Sequence, residues 1–198
     1  EWNNPGTIGN LTPGGKILAS LFQSVTLRTA GFASFNQDAL TEASKVLSDL
    51  LMFVGGSSGS TAGGVKTVTM GLVILSAVST MRGRRQVTVF GRSISQEDIA
   101  NAVSIALLVM GLSLLGAAVI TVCDGCSFMN AIYETISALC TVGLTTGITP
   151  TLCTASKLIL IVFMFFGRVG IMTIGVGFMM GDRAKERVQY AQTKVMIG

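Results

Sequence analysis

Long apolar runs alternate with short polar ones along this chain, and the runs set its predicted elements. Residues 99–122 form an apolar stretch with no charge, and about 20 mostly apolar residues are enough for a helix to cross a membrane. Residues 157–180 form a second such run, apolar except for Lys157 at its edge and Arg168 about midway along it. A third candidate span, residues 46–78, is interrupted by Gly55-Gly56-Ser57-Ser58-Gly59-Ser60-Thr61-Ala62-Gly63-Gly64. Each glycine costs a helix about 1 kcal/mol relative to alanine, so the pattern predicts a helix broken in its middle. Broken backbone at membrane depth is tolerated only where it is buried in protein or lines a water-filled cavity. Two further apolar stretches, residues 17–26 and 129–139, are too short to span. They predict helices that enter the membrane partway and return.

Each short helix leads into a related tetrapeptide, Thr29-Ala30-Gly31-Phe32 in one case and Thr141-Val142-Gly143-Leu144 in the other. The two are 112 residues apart (141 − 29), and the same offset holds without a gap around them. It matches Ala19 with Ala131, Leu27 with Leu139, and Ala43-Ser44-Lys45 with Ala155-Ser156-Lys157. It also matches Met52-Phe53 and Gly55 with Met164-Phe165 and Gly167. An internal repeat in an apolar chain points to one unit copied around or across a membrane site.

Composition supports lipid as the solvent. Of 198 residues only 12% are charged and 49% are hydrophobic, against about 25% charged in soluble domains. The net charge of +4 is gathered in two clusters: Arg82, Arg84, Arg85 and Arg92, then Arg183, Lys185, Arg187 and Lys194. Clusters separated by two spans both fall on the cytoplasmic side by the positive-inside rule, which leaves the amino terminus and both tetrapeptides outside. Such clustering is a signal of topology and argues against nucleic acid as a partner. The chain has no histidine, which excludes a His-centred triad or a His-ligated zinc site. Cys123 and Cys126 have CxxC spacing, but no second pair completes a zinc site, so helix-end packing is the favoured reading. Cys140 is expected to be a packed small residue. The chain begins at Glu1 with no signal peptide, so a longer protein with further sequence upstream is expected.

The tetrapeptides carry the candidate chemistry. A dehydrated potassium ion needs oxygens in place of its water shell, and potassium filters supply them from backbone carbonyls. Glycine permits the backbone conformations that aim successive carbonyls at one axis. The short helix in front turns its negative end toward the filter, which favours a cation. Potassium would then be held by the carbonyls of Thr29, Ala30, Gly31, Phe32, Thr141, Val142, Gly143 and Leu144. The bland alternative is a pair of ordinary interhelical turns.

Four stretches together resemble a known family: Phe22-Gln23-Ser24-Val25-Thr26-Leu27-Arg28-Thr29-Ala30-Gly31-Phe32, residues 55–67, residues 141–150, and Phe166-Gly167-Arg168-Val169-Gly170. They are similar to the carboxy-terminal half of the membrane subunit of Ktr-type bacterial potassium transporters, in the superfamily that includes Trk and plant HKT transporters. The resemblance implies an all-α integral membrane protein of repeated helix–pore helix–filter loop–helix units, as in potassium channels, with one broken transmembrane helix. Residues 1–80 would be the third pore repeat without its first helix, and 81–97 a cytoplasmic basic linker. Residues 98–181 would be the fourth repeat and 182–198 a cytoplasmic tail. Two of four filter strands would lie in the upstream half of the subunit, so this chain cannot close a pore alone. The resemblance further implies a homodimer in the bacterial cell membrane on a cytoplasmic ring of regulatory subunits that bind adenine nucleotides. That ring would touch the region 82–92 and the tail.

By the same resemblance residues 55–64 form an intramembrane gating loop. A polar Gly/Ser/Thr loop can occlude a narrow cavity and move at low cost. A phosphate-binding loop is the rival, but it needs Gly-Lys-[Ser/Thr] contiguous, and Val65 separates Gly64 from Lys66-Thr67. A mid-membrane arginine normally faces the bundle interior or water. Arg168 is therefore expected to bond loop carbonyls or hydroxyls and hold the gate closed, with a purely structural arginine as the alternative. Lys66 is expected to snorkel or to meet a carboxylate. Arg28 and Glu134 are expected either to pair behind the filters or to face solvent at the outer mouth. The expected function is potassium uptake with sodium as a candidate coupling or activating ion, and no enzyme chemistry. A non-conducting membrane scaffold and a sodium-selective transporter of the same fold are the alternatives. A serine in place of a filter glycine goes with sodium preference in the superfamily, and Gly31 and Gly143 are both retained.

Overall fold

The helices begin where side chains can cap them. Thr12 precedes α1 (Pro13–Thr26) and accepts from Gly15 N, with proline at the first helical position. Thr41 caps α2 (Glu42–Phe53) and Cys153 caps α6 (Thr154–Val169), each accepting from the backbone N–H three residues on. These two caps are counterparts at the 112-residue offset, so the repeat extends to where the helices start. α3 covers Thr67–Met81 and α4 Gln96–Asp124, the latter capped by Ser95 with Glu97 and Asp98 in its first turn. α4 stops at Gly125 in the left-handed conformation, φ 64°. α5 covers Phe128–Leu139. A two-residue antiparallel hairpin, β1 (Thr88–Val89) with β2 (Arg92–Ser93), joins α3 to α4. This computed structural model describes residues 1–57, 59–60, 62–83, 86–89 and 92–170.

Both expected short helices form, and the interrupted stretch is broken. α2 stops at Phe53 and the chain resumes as α3 at Thr67. Its counterpart α6 continues to Val169, four residues past Phe165, the counterpart of Phe53. Of the three expected spans, only α4 is by itself long and apolar enough to cross a membrane among the described residues, and the interrupted stretch supplies the shorter helices α2 and α3. Arg168 lies in the last turn of α6, which Gly170 caps with φ 93°. The rest of the expected span, the tail, Arg84 and Arg85 lie outside the described residues.

The core is built around α5. Every residue from Tyr133 to Leu139 is buried, whereas its counterpart α1 buries only Thr26. A short helix buried all round is a core helix. Ala117 and Ile120 of α4, Leu160 and Phe163 of α6, and Met52 and Phe53 of α2 complete the cluster. Gly116 of α4 makes room for the Phe163 ring: a Cβ there would collide with Phe163 Cε2 and stand 3.2 Å from Thr135 Cγ2. Thr135 Oγ1 donates to Ser113 O at 3.1 Å, which ties α5 to the same face of α4.

Gly116→Ala should therefore lower the detergent melting temperature through overpacking of about 1–3 kcal/mol. Gly111→Ala is its control, because nothing lies within 4 Å of a Cβ there. That change should instead gain the roughly 1 kcal/mol of helix propensity alanine has over glycine. Equal melting temperatures for the two variants would contradict this packing.

Candidate functional site

Two residues other than glycine have positive φ among the described residues: Thr29 at 68° and Thr141 at 57°. They are the first residues of the two tetrapeptides and are counterparts at the 112-residue offset. Gly31 and Gly143, two residues on, are also left-handed, at 75° and 89°. A β-branched residue in this region is a genuine outlier, of order 1–3 kcal/mol, which persists only where the surroundings over-determine it.

The surroundings do so here. Thr26 Oγ1 donates to Phe32 O at 2.7 Å and accepts from Phe32 N at 2.8 Å. Ser137 Oγ donates to Leu144 O at 2.6 Å. Each tetrapeptide is thus pinned at its fourth residue to the helix that precedes it. The two loops also abut, since a Cβ on Gly31 would collide with the Val142 carbonyl oxygen. All eight expected filter residues are thereby brought to one place.

The glycine-rich loop lies against this pair. Its neck is closed by Val65 N donating to Phe53 O at 3.1 Å, Gly55 N to Val65 O at 2.9 Å and Thr67 N to Gly56 O at 3.2 Å. Gly63 N donates to Thr141 Oγ1 at 2.9 Å. Glycine is required at Gly64, whose φ is 72° and whose Cβ would stand 2.9 Å from Cys140 Sγ. Cys140 is buried, as a packed small residue should be. α6 also meets Thr141, since a Cβ on Gly167 would collide with Leu139 O and stand 2.9 Å from Thr141 Cγ2. Ser58 and Thr61 of the loop lie outside the described residues.

Arg28 and Glu134 do not pair; Arg28 is exposed, as the alternative to pairing had it, whereas Glu134 is not. Arg28 Nη1 donates to Val54 O at 3.1 Å, the C-cap carbonyl that α2 leaves without a helical donor, and to Gly55 O just beyond it at 3.4 Å. Glu134 is buried and turns to the loop after its own tetrapeptide. Its Oε1 accepts from Thr145 Oγ1 at 2.5 Å, Thr146 N at 2.9 Å and Thr146 Oγ1 at 3.2 Å. Its Oε2 accepts from Thr149 Oγ1 at 2.8 Å. Lys66 meets a carbonyl, Ser60 O, at 3.0 Å, and not a carboxylate. Arg168 is exposed at the end of α6. Cys123 and Cys126 are free thiols at the end of α4.

Sequence reasoning missed a second polar group. Gln37 accepts from Gln23 Nε2 at 2.7 Å and from the buried Tyr133 hydroxyl at 3.1 Å, which joins both short helices to the loop after the first tetrapeptide. Lys45 Nζ reaches Asn130 Oδ1 at 2.9 Å and Asp38 Oδ1 at 3.4 Å, which ties α2 to α5. The available signal was polar residues on short helices beside apolar neighbours. Their partners lie 85 and 96 residues away in the chain and cannot be read locally.

Comparison with known proteins places the chain in a family context. Residues 3–186 match the family model described as TrkH, cation transport protein. The chain is 38% identical over 198 residues to the Ktr system potassium uptake protein B of Bacillus subtilis (strain 168), covering 100% of this chain and 44% of that protein. It is 35% identical to the potassium/sodium uptake protein NtpJ of Enterococcus hirae, covering 92% of this chain and 42% of that one. The chain thus spans less than half the length of these relatives. The crystal structure of the potassium transporter TrkH from Vibrio parahaemolyticus has the same fold, with a TM-score of 0.72 over 86% of this chain and 38% of that one, at 22% identity.

Proposed function

The chain belongs to the TrkH family of cation transport proteins, and from that premise we propose that it forms half of a potassium uptake pathway across the cell membrane. The ion passes between the two abutting tetrapeptides and two further filter strands supplied by the upstream half of the same subunit. The observation that carries this reading is the repeated left-handed pair, Thr29 with Gly31 and Thr141 with Gly143. Glycine at the third position of each tetrapeptide permits backbone conformations that aim successive carbonyls at one axis. Carbonyls so arranged can replace the hydration shell of potassium, and no covalent step is involved. The helices α1 and α5 direct their negative ends toward the loops, which favours a cation.

The exposed apolar face of α1 supports an upstream neighbour. Leu18 and Val25 are 70% and 66% exposed there, while the whole second half of α5 is buried. Large exposed apolar patches mark contact with other protein or with lipid. The loop at residues 55–64, with Arg168, acts as the gate beneath the filter. The resemblance to Ktr-type subunits supports a homodimer on a cytoplasmic ring of regulatory subunits that bind adenine nucleotides, meeting the membrane subunit near residues 82–92 and the tail at 182–198. Sodium is the second ion to test, because one relative is named for both potassium and sodium.

The test is rubidium-86 uptake by potassium-depleted cells that lack their own uptake systems and express the whole subunit with its regulator. Uptake blocked by excess potassium but not by excess sodium, and altered in selectivity by Gly143→Ser, is the expected result. Block by sodium would assign a sodium-selective transporter. Assembled surface protein without uptake would assign a non-conducting scaffold.

A further inference from the structure

We propose that Arg28 is a positioning residue that clamps the glycine-rich loop shut, so that the loop is gripped directly by the residues that border the two filters. This rests on the reading of that loop as a gate and adds the device that holds it. The grip has two sides. On the entry side, the Arg28 guanidinium bonds the carbonyls of Val54 and Gly55 at 3.1 and 3.4 Å. On the return side, Gly63 N donates to Thr141 Oγ1 at 2.9 Å, and Cys140 packs against Gly64. Arg28 and Cys140 are counterparts at the 112-residue offset, and each immediately precedes a filter threonine. The repeat therefore places one residue on each flank of the same neck.

The neck itself is a single unit. The bonds among Phe53, Gly55, Gly56, Val65 and Thr67 tie its two strands together. A carbonyl of Gly63 stands where a Cβ on Gly55 would be, so the strands also touch. Such a unit cannot leave the filter without giving up both grips. Of the two, the Arg28 bonds are charge-assisted and roughly twice as strong as neutral ones. One of them also satisfies the Val54 carbonyl, which the end of α2 leaves without a helical donor. Arg28 thus favours the closed loop over any open one, and its loss shifts that balance.

The experiment measures rubidium-86 uptake by the whole subunit with its regulator, in resting and fully activated cells, normalised to surface protein. Arg28→Ala should raise resting uptake roughly tenfold or more, the equivalent of one charge-assisted bond lost from the closed state. It should leave activated uptake and the preference for potassium over sodium unchanged. Arg28→Lys should restore most of the resting block. Deletion of residues 57–62 serves as the reference for an ungated pathway. High uptake from the deletion with normal resting block in Arg28→Ala would overturn the clamp while the gate reading stands. Normal resting block in the deletion itself would overturn the gate reading. Loss of selectivity in Arg28→Ala without rescue by Arg28→Lys would make Arg28 a filter support and would also overturn the clamp. Arg28→Gln, which keeps the length and loses the charge, replaces the alanine variant if that one fails to reach the surface.

Discussion

Serine at Gly31 is expected to abolish rubidium uptake, whereas serine at Gly143 should leave a reduced and less selective flux. Both glycines are left-handed, so any side chain costs about 1–2 kcal/mol of backbone strain at either position. The surroundings separate them. A Cβ on Gly31 would collide with the Val142 carbonyl oxygen and stand 3.3 Å from its carbon, whereas a Cβ on Gly143 would meet only Gly31 Cα, at 4.0 Å. Serine at Gly31 must therefore push the two loops apart, and neither can yield easily. Phe32 is held by Thr26 and Leu144 by Ser137. The added cost is on the order of a few kcal/mol, so uptake through Gly31→Ser should fall by a further tenfold or more. Uptake at matched surface protein, with sodium as competitor, measures it. An equal loss in the two variants, or a greater one at Gly143, would mean that the loops do not abut in the working transporter.

The difference between these glycines marks how far the sequence could be read. Length and apolar content placed α1, α4 and α5, and the run of Gly and Ser placed the break between α2 and α3. These are local properties, set by backbone entropy and by transfer from water. The 112-residue offset then foretold that the tetrapeptides are equivalent, and their matched left-handed residues agree. It could not foretell that Gly31, and not Gly143, takes the close approach, because equivalent residues in a repeat face different neighbours. Charged groups were the least legible. Arg28 and Glu134, both on or beside apolar short helices, announce a need for partners. Which partner depends on the path of the chain after each helix. Arg28 meets a carbonyl freed where α2 stops, a position that exists only because its helix breaks while α6 runs on. Glu134 instead meets three threonines of the segment that follows its own tetrapeptide, Thr145-Thr146-Gly147-Ile148-Thr149.

That threonine segment carries the second large effect. Glu134 accepts from four donors, three hydroxyls and one backbone N–H, and it is only 4% exposed. Glu134→Ala leaves the buried Thr146 N–H and hydroxyl without their acceptor, while Thr145 and Thr149 keep their bond to each other, and so frees the segment directly after Leu144. A buried polar group left unsatisfied costs about 1–3 kcal/mol. The alanine variant should therefore lose roughly 2–4 kcal/mol of stability even after partial relaxation, together with most of its uptake. Glu134→Gln separates geometry from charge. Its amide oxygen can still serve Thr145 and Thr146, and its amide nitrogen can donate to Thr149 Oγ1, so the melting temperature in detergent should stay close to that of the parent. What it removes is negative charge beside the proposed filter, a charge whose attraction for cations weakens with added salt. Uptake through Glu134→Gln should then fall mainly at low external potassium and low ionic strength, and recover at saturation. A glutamine variant as unstable as the alanine one would show that the site requires the carboxylate for its bonds alone. An alanine variant with normal melting and uptake would show that the threonine segment holds its shape without Glu134.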